Sequence, residues 1–116
     1  MMSLRVLATA NSAADHWASL GATYSLHTGN PGSAGTANEA TGGGYSRQTT
    51  TWGAASGGVV TGSQLTFTVV AGSYTHMCRW SGSTLRDIID TADATVSPAG
   101  EVKVTPSSDA GYVAWT

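Results

Sequence analysis

The sequence predicts a mainly β protein: a single antiparallel β-sandwich domain, jelly-roll or immunoglobulin-like, with one short N-terminal helix. Three observations predict this class. Short stretches of alternating apolar and polar residues recur, turns rich in Gly, Pro and Ser separate them, and only one segment near the N-terminus has helical spacing. The chain has 116 residues, and we expect residues 1–116 to form one domain, since this length can bury one core.

The helix is predicted at about residues 11–20. Ser12 is placed to cap its first turn, with Asp15 three residues later as a capping-box partner. Gly21 stands where a glycine commonly ends a helix. The apolar stripe of this helix would consist of three residues at helical spacing, Ala13, Trp17 and Leu20.

The strands are predicted from period-two alternation, and one long loop interrupts them at about residues 29–44, where "GNPG" and "GGG" occur. Residues 85–89 fit either a strand or one turn of helix. In the segment 74–80, four alternating residues are expected to share one face: Tyr74, His76, Cys78 and Trp80. The other predicted strands are 22–27, 45–52, 59–61, 65–69, 91–96, 101–105 and 112–115.

Charged residues are scarce. They form 10% of the chain against about 25% in a typical soluble domain, and the net charge is −2. The sequence has no basic patch and no apolar run near the ~20 residues of a membrane span, so neither nucleic acid nor membrane is an expected partner. A surface of Ser, Thr, Gly and Ala is typical of a protein packed against others, and also of secreted or phage-type β domains.

No nucleotide site and no disulfide are predicted. The glycine-rich stretch "GNPGSAG" lacks the Gly-Lys-Ser/Thr ending of a phosphate-binding loop, and the one lysine, Lys103, lies far along the chain. No helical pattern follows the stretch, as a dinucleotide loop would require. Cys78 is the single cysteine, so an internal disulfide cannot form.

Metal and catalytic candidates are weak as well. Cys78 is a possible nucleophile, but its strand position favours packing as a small apolar residue. The histidines are far apart in sequence, unlike paired zinc ligands, and the clustered aspartates are expected to form a solvated turn rather than a calcium loop. We therefore expect no enzyme activity, no metal and no cofactor. The residues weighed are His16, His27, His76, Asp87, Asp90 and Asp93.

The four tryptophans are candidates for the core, a sugar platform or an interface. We expect Trp17 and Trp80 to fill the core. Trp52 and Trp115, at the ends of a strand and of the chain, are candidates for a subunit contact.

Four motifs occur in a specific order: "LHTGNPG" (26–32), "ANE" (37–39), "GGGYSRQ" (42–48) and "THMCRW" (75–80). In this order the chain resembles a family of small tailed-phage virion proteins labelled as head-decoration or tail-fibre proteins. The resemblance covers roughly residues 13–80. It departs at Asn30, where Asp is expected before the proline, and at Ser81, where an acidic residue is common; nothing after residue 84 matches.

The shared motifs have physical roles in the long loop. Pro31 with Gly32 makes a tight turn, and Asn38 can bond to the local backbone. Glu39 is expected to pair with Arg47 and to pin the loop, with Tyr45 packed beneath it. The loop would then be an ordered arm presented to a neighbouring protein.

The resemblance implies a structural protein of the phage virion, made in the host cytoplasm. We expect a capsid decoration protein on the outside of the head, which stabilises the shell as a homo-oligomer, such as a trimer, bound to the major capsid protein. The alternative is a tail-fibre or minor tail protein that binds a host receptor or sugar. The loop-stabilising or interface candidates are Asn30, Pro31, Asn38, Glu39, Tyr45, Arg47, Trp52 and Trp115.

Overall fold

Two antiparallel sheets and one helix make up the fold, in a computed structural model that describes residues 6–108, with only the backbone at residues 91 and 92. The four-stranded sheet has the order β2-β1-β4-β5, and the two-stranded sheet pairs β3 with β6. The elements are α1 (Leu7–Ser19), β1 (Thr23–His27), β2 (Gln48–Thr49), β3 (Leu65–Val69), β4 (Gly72–Ser81), β5 (Thr84–Val96) and β6 (Gly100–Val104).

The core lies between the two sheets. Alternation along β3 turns Leu65, Phe67 and Val69 inward, and all three are buried. They meet side chains from the facing sheet, including Tyr24, Leu26, Tyr74 and Met77. The predicted mainly β class, with antiparallel sheets and a short N-terminal helix, is confirmed. Residues 6–108 contain six strands.

The helix begins at Leu7, four residues before the expected start, so Ser12 lies inside it and caps nothing. Val6 is the N-cap residue and makes no side-chain cap bond. Asp15 instead accepts a hydrogen bond from the backbone N–H of Ala55, 3.1 Å away. The buried stripe is also shifted, because small methyl groups allow the helix to approach Val60 closely. It consists of Ala10, Ala14 and Ala18.

Four predicted segments differ from the observed strands. The segment 45–52 contributes only β2, because Tyr45 and Arg47 turn to other partners described below. Residues 59–61 form isolated bridges rather than a strand. The segments 85–89 and 91–96 join into one strand, β5, paired with β4. The predicted strand 112–115 lies outside the described residues.

An irregularity in the pairing of β4 with β5, where one residue of β4 (75) lies opposite three residues of β5 (91–93), affects which side chains share a face. The register with β5 shifts between Tyr74 and His76, so Tyr74 points into the core beside Met77. The expected grouping of Tyr74 with Cys78 and Trp80 is therefore wrong for Tyr74.

The four-stranded sheet has a second face, opposite the core. Cross-strand pairing sets Ser25 opposite Cys78 and His27 opposite His76 on this face. Trp80 belongs to it as well. We call this surface the arm face, because the long loop lies on it. No helix within residues 6–108 is long and apolar enough to cross a membrane.

Candidate functional site

The candidate site is the arm, which we define as residues 28–47, between β1 and β2. Most of its residues are exposed, and it contains no regular strand or helix. An irregular segment of this length stays ordered only if its polar groups find partners. The contacts below supply those partners from the arm itself and from the arm face.

The first half of the arm closes on itself. The Thr28 N–H donates to the Asn38 carbonyl oxygen at 2.9 Å, and the Ala37 N–H donates to the Pro31 carbonyl oxygen at 3.0 Å. Asn30 Oδ1 accepts from the Gly32 N–H at 2.9 Å. Asn30 thus keeps the acceptor that an aspartate would supply at this position.

Asn38 locks the loop at its other end. Its Nδ2 group donates to the Asn30 carbonyl oxygen at 3.0 Å, and its backbone is left-handed, with φ of 60°. Asparagine tolerates this conformation better than other non-glycine residues. Pro31 is buried beneath the loop. The two asparagines and Pro31 therefore stabilise the arm from within.

Glu39 joins the two halves of the arm. Arg47 donates to both carboxylate oxygens, with Nε to Oε2 and Nη2 to Oε1 each at 2.9 Å. Such two-point pairing is stronger and more specific than a single contact. The hydrogen bonds from Arg47 hold the pKa of the Glu39 carboxyl below its usual range. The same bonds raise the pKa of Arg47.

Tyr45 connects this ion pair to the core. Its hydroxyl donates to Glu39 Oε2 at 2.7 Å and accepts from the Leu26 N–H at 3.0 Å. Its ring stacks on Phe67 with centroids 6.2 Å apart. Burial is the main reason that the pKa of the Tyr45 hydroxyl is raised. The second half of the arm is thereby attached to both sheets.

A buried polar chain anchors the arm to the arm face. Trp80 Nε1–H donates to Ser25 Oγ at 2.8 Å, Ser25 Oγ lies 2.8 Å from His27 Nε2, and His27 Nδ1 lies 2.8 Å from the Ala37 carbonyl oxygen. A carbonyl can only accept, so Nδ1 carries the proton. In the neutral imidazole, Nε2 then accepts from the Ser25 hydroxyl.

The Ser25–His27 contact has the spacing of a nucleophile and its base. However, both residues are 0% exposed. Ser25 also accepts from Trp80, and a backbone carbonyl of the arm orients the imidazole. The pair therefore holds the arm rather than meeting a substrate. The sequence analysis did not identify Ser25. Its position two residues before His27 in a predicted strand places both side chains on one face, which could have indicated their contact.

The arm also touches other elements. The Arg47 guanidinium lies over the Trp80 ring at 4.3 Å. Gly35 has φ of 72°, and a Cβ added there would lie 2.8 Å from Leu85 Cδ1. Glycine thus allows the arm to approach β5 closely.

The metal candidates are not assembled into a site. His16 is exposed in the last turn of α1, whereas His27 is buried in the polar chain. His76 lies beside His27 across the strands, with its Nε2 3.9 Å from Asp90 Oδ1. Among residues 6–108, no group of three His, Cys, Asp or Glu side chains is placed to hold a metal ion.

The aspartates lie on β5 rather than in the expected turn, and one of them pairs with a residue that sequence reasoning missed. Arg79 is 1% exposed, and its Nε donates to Asp87 Oδ2 at 2.6 Å. Its Nη1 donates to the carbonyl oxygens of Trp17 and Gly21 at the end of α1. A lone arginine inside the apolar run "HMCRW" could have indicated a buried, paired cation.

The described tryptophans and Cys78 take part in packing within the chain. Trp80 is buried, and Trp17 is half-buried with the Arg79 guanidinium 3.8 Å from its ring centre. Trp52 meets Trp17 edge-on at 5.1 Å and donates to the Gly21 carbonyl oxygen. Burial raises the pKa of the Cys78 thiol, which makes it a poor nucleophile. Trp115 lies outside the described residues.

Comparison with known proteins gives one family. A family model described as "Podophage GP4 fiber I protein gp80" matches residues 8–116. No curated protein matches the chain, and no solved structure matches it.

Proposed function

This chain belongs to the family of the podophage GP4 fiber I protein gp80, and from that premise we propose that it is a subunit of a virion fibre. The family supports a structural role in a tailed-phage virion. The fibre assignment was the alternative in the sequence-based expectation, and the family description favours it over capsid decoration.

We propose that the arm is the surface by which this subunit contacts neighbouring virion protein. One observation carries the proposal: the arm is held in one shape before any partner binds. The Glu39–Arg47 pair, the Tyr45 hydroxyl and the buried chain to His27 fix it at several points. A preformed loop loses little conformational entropy on binding.

The charge of the arm suits a protein partner. Glu39 and Arg47 are its two charged residues, and they pair with each other. The exposed part therefore presents hydroxyls, methyl groups and backbone amides. Such a surface has no electrostatic attraction for nucleic acid, and it can pack against a second copy of the chain or another virion protein.

The experiment places a bulky charge on the arm without disturbing its internal bonds. Ser33 is exposed on the arm, and Ser83 is exposed in the turn between β4 and β5. We expect Ser33→Arg to fold like the wild type but to be depleted at least about tenfold from purified virions, the ratio that a loss of ~1.4 kcal/mol gives. Quantitative mass spectrometry of the particles measures this depletion.

Ser83→Arg is the matched control and should be incorporated normally. A second pair of variants tests the pinning of the arm. Arg47→Ala should reduce incorporation, whereas Lys103→Ala, which removes a cation from an exposed pair with Glu101, should not. Normal incorporation of Ser33→Arg would show that the arm is not the contact surface.

Capsid decoration is the second candidate, with the major capsid protein as partner. It is favoured by the absence of sequence repeats that a fibre stalk would carry. Electron microscopy of virions labelled with an antibody fragment separates the two candidates. Label on the fibres supports the first proposal, and label over the whole shell supports decoration.

A further inference from the structure

A hollow opens between α1, the four-stranded sheet and the segment after β6. Its volume is about 260 Å³, and we call it the Tyr24 hollow. Tyr24, Met77 and Ile89 line it from three adjacent strands, β1, β4 and β5. None of the lining residues belongs to the arm, so the hollow is separate from the proposed contact surface. The other lining residues are Trp17, Val104, Thr105, Pro106 and Ser107.

Tyr24 brings a buried hydroxyl to this hollow. The residue is 2% exposed, yet its hydroxyl makes no hydrogen bond with any of residues 6–108. No fully buried side-chain N or O atom among those residues lacks a partner, so the hydroxyl meets solvent, and the hollow is where it does so. Burial raises the pKa of Tyr24 to about 12, and the hydroxyl therefore keeps its proton at neutral pH.

Trp17 adds a second hydrogen-bond donor. Its Nε1–H likewise has no hydrogen-bond partner in the described part of the chain. The Arg79 guanidinium, 3.8 Å from the ring centre, and Trp52, edge-on at 5.1 Å, hold the indole in place. Thr105 and Ser107 are exposed, so their hydroxyls lie at the mouth of the hollow. The hollow therefore combines apolar walls with several hydrogen-bonding groups.

This lining selects the class of ligand. None of the lining residues carries a charge, so a charged ligand would lose its hydration there without finding an opposite charge. A hydrocarbon ring would cut off the Tyr24 hydroxyl and the Trp17 N–H from solvent without replacing their hydrogen bonds, which is also unfavourable. A cavity of about 150 Å³ accommodates benzene. A hollow of about 260 Å³ thus has room for one six-membered ring with substituents.

We propose that the Tyr24 hollow binds a neutral, hydroxylated six-membered ring, such as one hexopyranose unit of a saccharide. The C–H face of the ring packs against Met77, Ile89 and Val104, and its hydroxyls bond to the Tyr24 hydroxyl and the Trp17 N–H. The proposal does not rest on the arm as a contact surface, and either can fail without the other.

The test titrates glucose, galactose and mannose, each as the free hexose and as its methyl glycoside, into the full isotope-labelled chain. We expect at least one of them to shift the NMR signals of the Ile89 methyl groups and the Trp17 indole N–H in a saturable way. The signals of Ala94 and Val102, which line only the neighbouring hollow, should stay in place. Shifts from the free hexose alone identify a free sugar, whereas shifts from the methyl glycoside as well identify a unit that a polysaccharide can supply.

Three variants make the test specific. Tyr24→Phe removes only the hydroxyl and should weaken binding at least about fivefold. Tyr74→Phe is the matched control, because its hydroxyl bonds to the Val70 carbonyl oxygen and the residue does not line the hollow; it should bind like the wild type. Ser107→Trp, at an exposed position, should block the mouth and abolish the shifts.

Four results would overturn the proposal. They are the absence of saturable shifts with all the sugars, wild-type affinity of Tyr24→Phe, shifts that persist in Ser107→Trp, and tighter binding of benzene than of any sugar. The last result would show that the hollow is an apolar cavity whose hydroxyl selects nothing.

Discussion

At the scale of single residues, the buried side chain of Arg79 connects several elements of the fold through its charge. It joins Asp87 on β5 to the two carbonyl oxygens at the end of α1 and stacks on Trp17. A cation at a helix C-terminus is favourable, because the free carbonyls there carry partial negative charge. Its burial is tolerable only because these partners surround it.

Arg79→Ala should therefore lower the free energy of unfolding by about 3–5 kcal/mol, since Asp87 and the helix carbonyls lose their partner. Urea unfolding followed by tryptophan fluorescence measures the loss. Arg86→Ala is the matched control, because Arg86 is exposed on β5, next to Asp87, and its loss should change stability by less than about 0.5 kcal/mol. Equal effects for the two variants would contradict the buried network.

Glu39 makes the stability of the arm depend on pH. Its pKa is lowered in the folded state, so the unfolded chain binds more protons as the pH falls. The stabilisation is present above the unfolded pKa of about 4.3 and is lost as pH falls through the lower folded pKa. We therefore expect the free energy of unfolding to fall more for the wild type than for Glu39→Gln when the pH is lowered from about 6 to about 3.

Urea midpoints at a series of pH values measure that difference. All other carboxylates are common to both proteins, so their contributions cancel in the comparison. Parallel pH profiles for the wild type and Glu39→Gln would show that the Glu39–Arg47 pair does not stabilise the folded state.

At the scale of elements, the junction between α1 and β1 depends on Gly21. Sequence reasoning assigned this glycine to helix termination, but it is absent from the residues with positive φ. The reason for glycine is space: a Cβ at Gly21 would lie 2.7 Å from the Trp80 carbonyl oxygen. Because that atom is sheet backbone, it cannot yield easily.

Gly21→Ala should thus cost about 1–3 kcal/mol, as overpacking in a tight site does. Gly53→Ala is the matched control, since the nearest atom to a Cβ there, the Thr61 carbonyl oxygen, is 3.4 Å away. Thermal melting of both variants tests the assignment. A Gly21→Ala protein as stable as Gly53→Ala would mean that α1 and β4 lie further apart than the structure has them.

At the scale of the whole molecule, a shared core holds the two sheets together without a disulfide. Phe67 is 0% exposed in this core and also supports the ring of Tyr45 in the arm. One side chain therefore links the sandwich to its proposed contact surface.

Phe67→Ala should reduce the free energy of unfolding by about 3–5 kcal/mol, because it removes a large buried ring and leaves a cavity. Val70→Ala, which trims a side chain that is 40% exposed, should cost far less. Denaturant unfolding distinguishes the two. If Phe67→Ala were as stable as the wild type, the placement of β3 in the core would be wrong.

Much of the fold was readable from the sequence because its signals are local. Alternation predicted β3 and β1, and the turn residues predicted most of the long loop that forms the arm. The Glu39–Arg47 pair was also predictable, since the two residues are only 8 positions apart, one in that loop and one in the segment that follows it. The start of α1 and the extent of β5 were not, because helix packing on Val60 and pairing with β4 set them.

The sequence by itself determined a weakly charged, mainly β chain with an irregular arm and an ion pair to hold it. Only the tertiary structure decided that Arg79 is buried, that Ser25 and His27 anchor the arm, and that Tyr74 lies in the core. Those outcomes depend on an irregularity in the pairing of β4 with β5 and on partners more than fifty residues apart, such as Trp80 and Ser25. Side-chain periodicity fixes which residues can face a core, but strand register fixes which residues they meet.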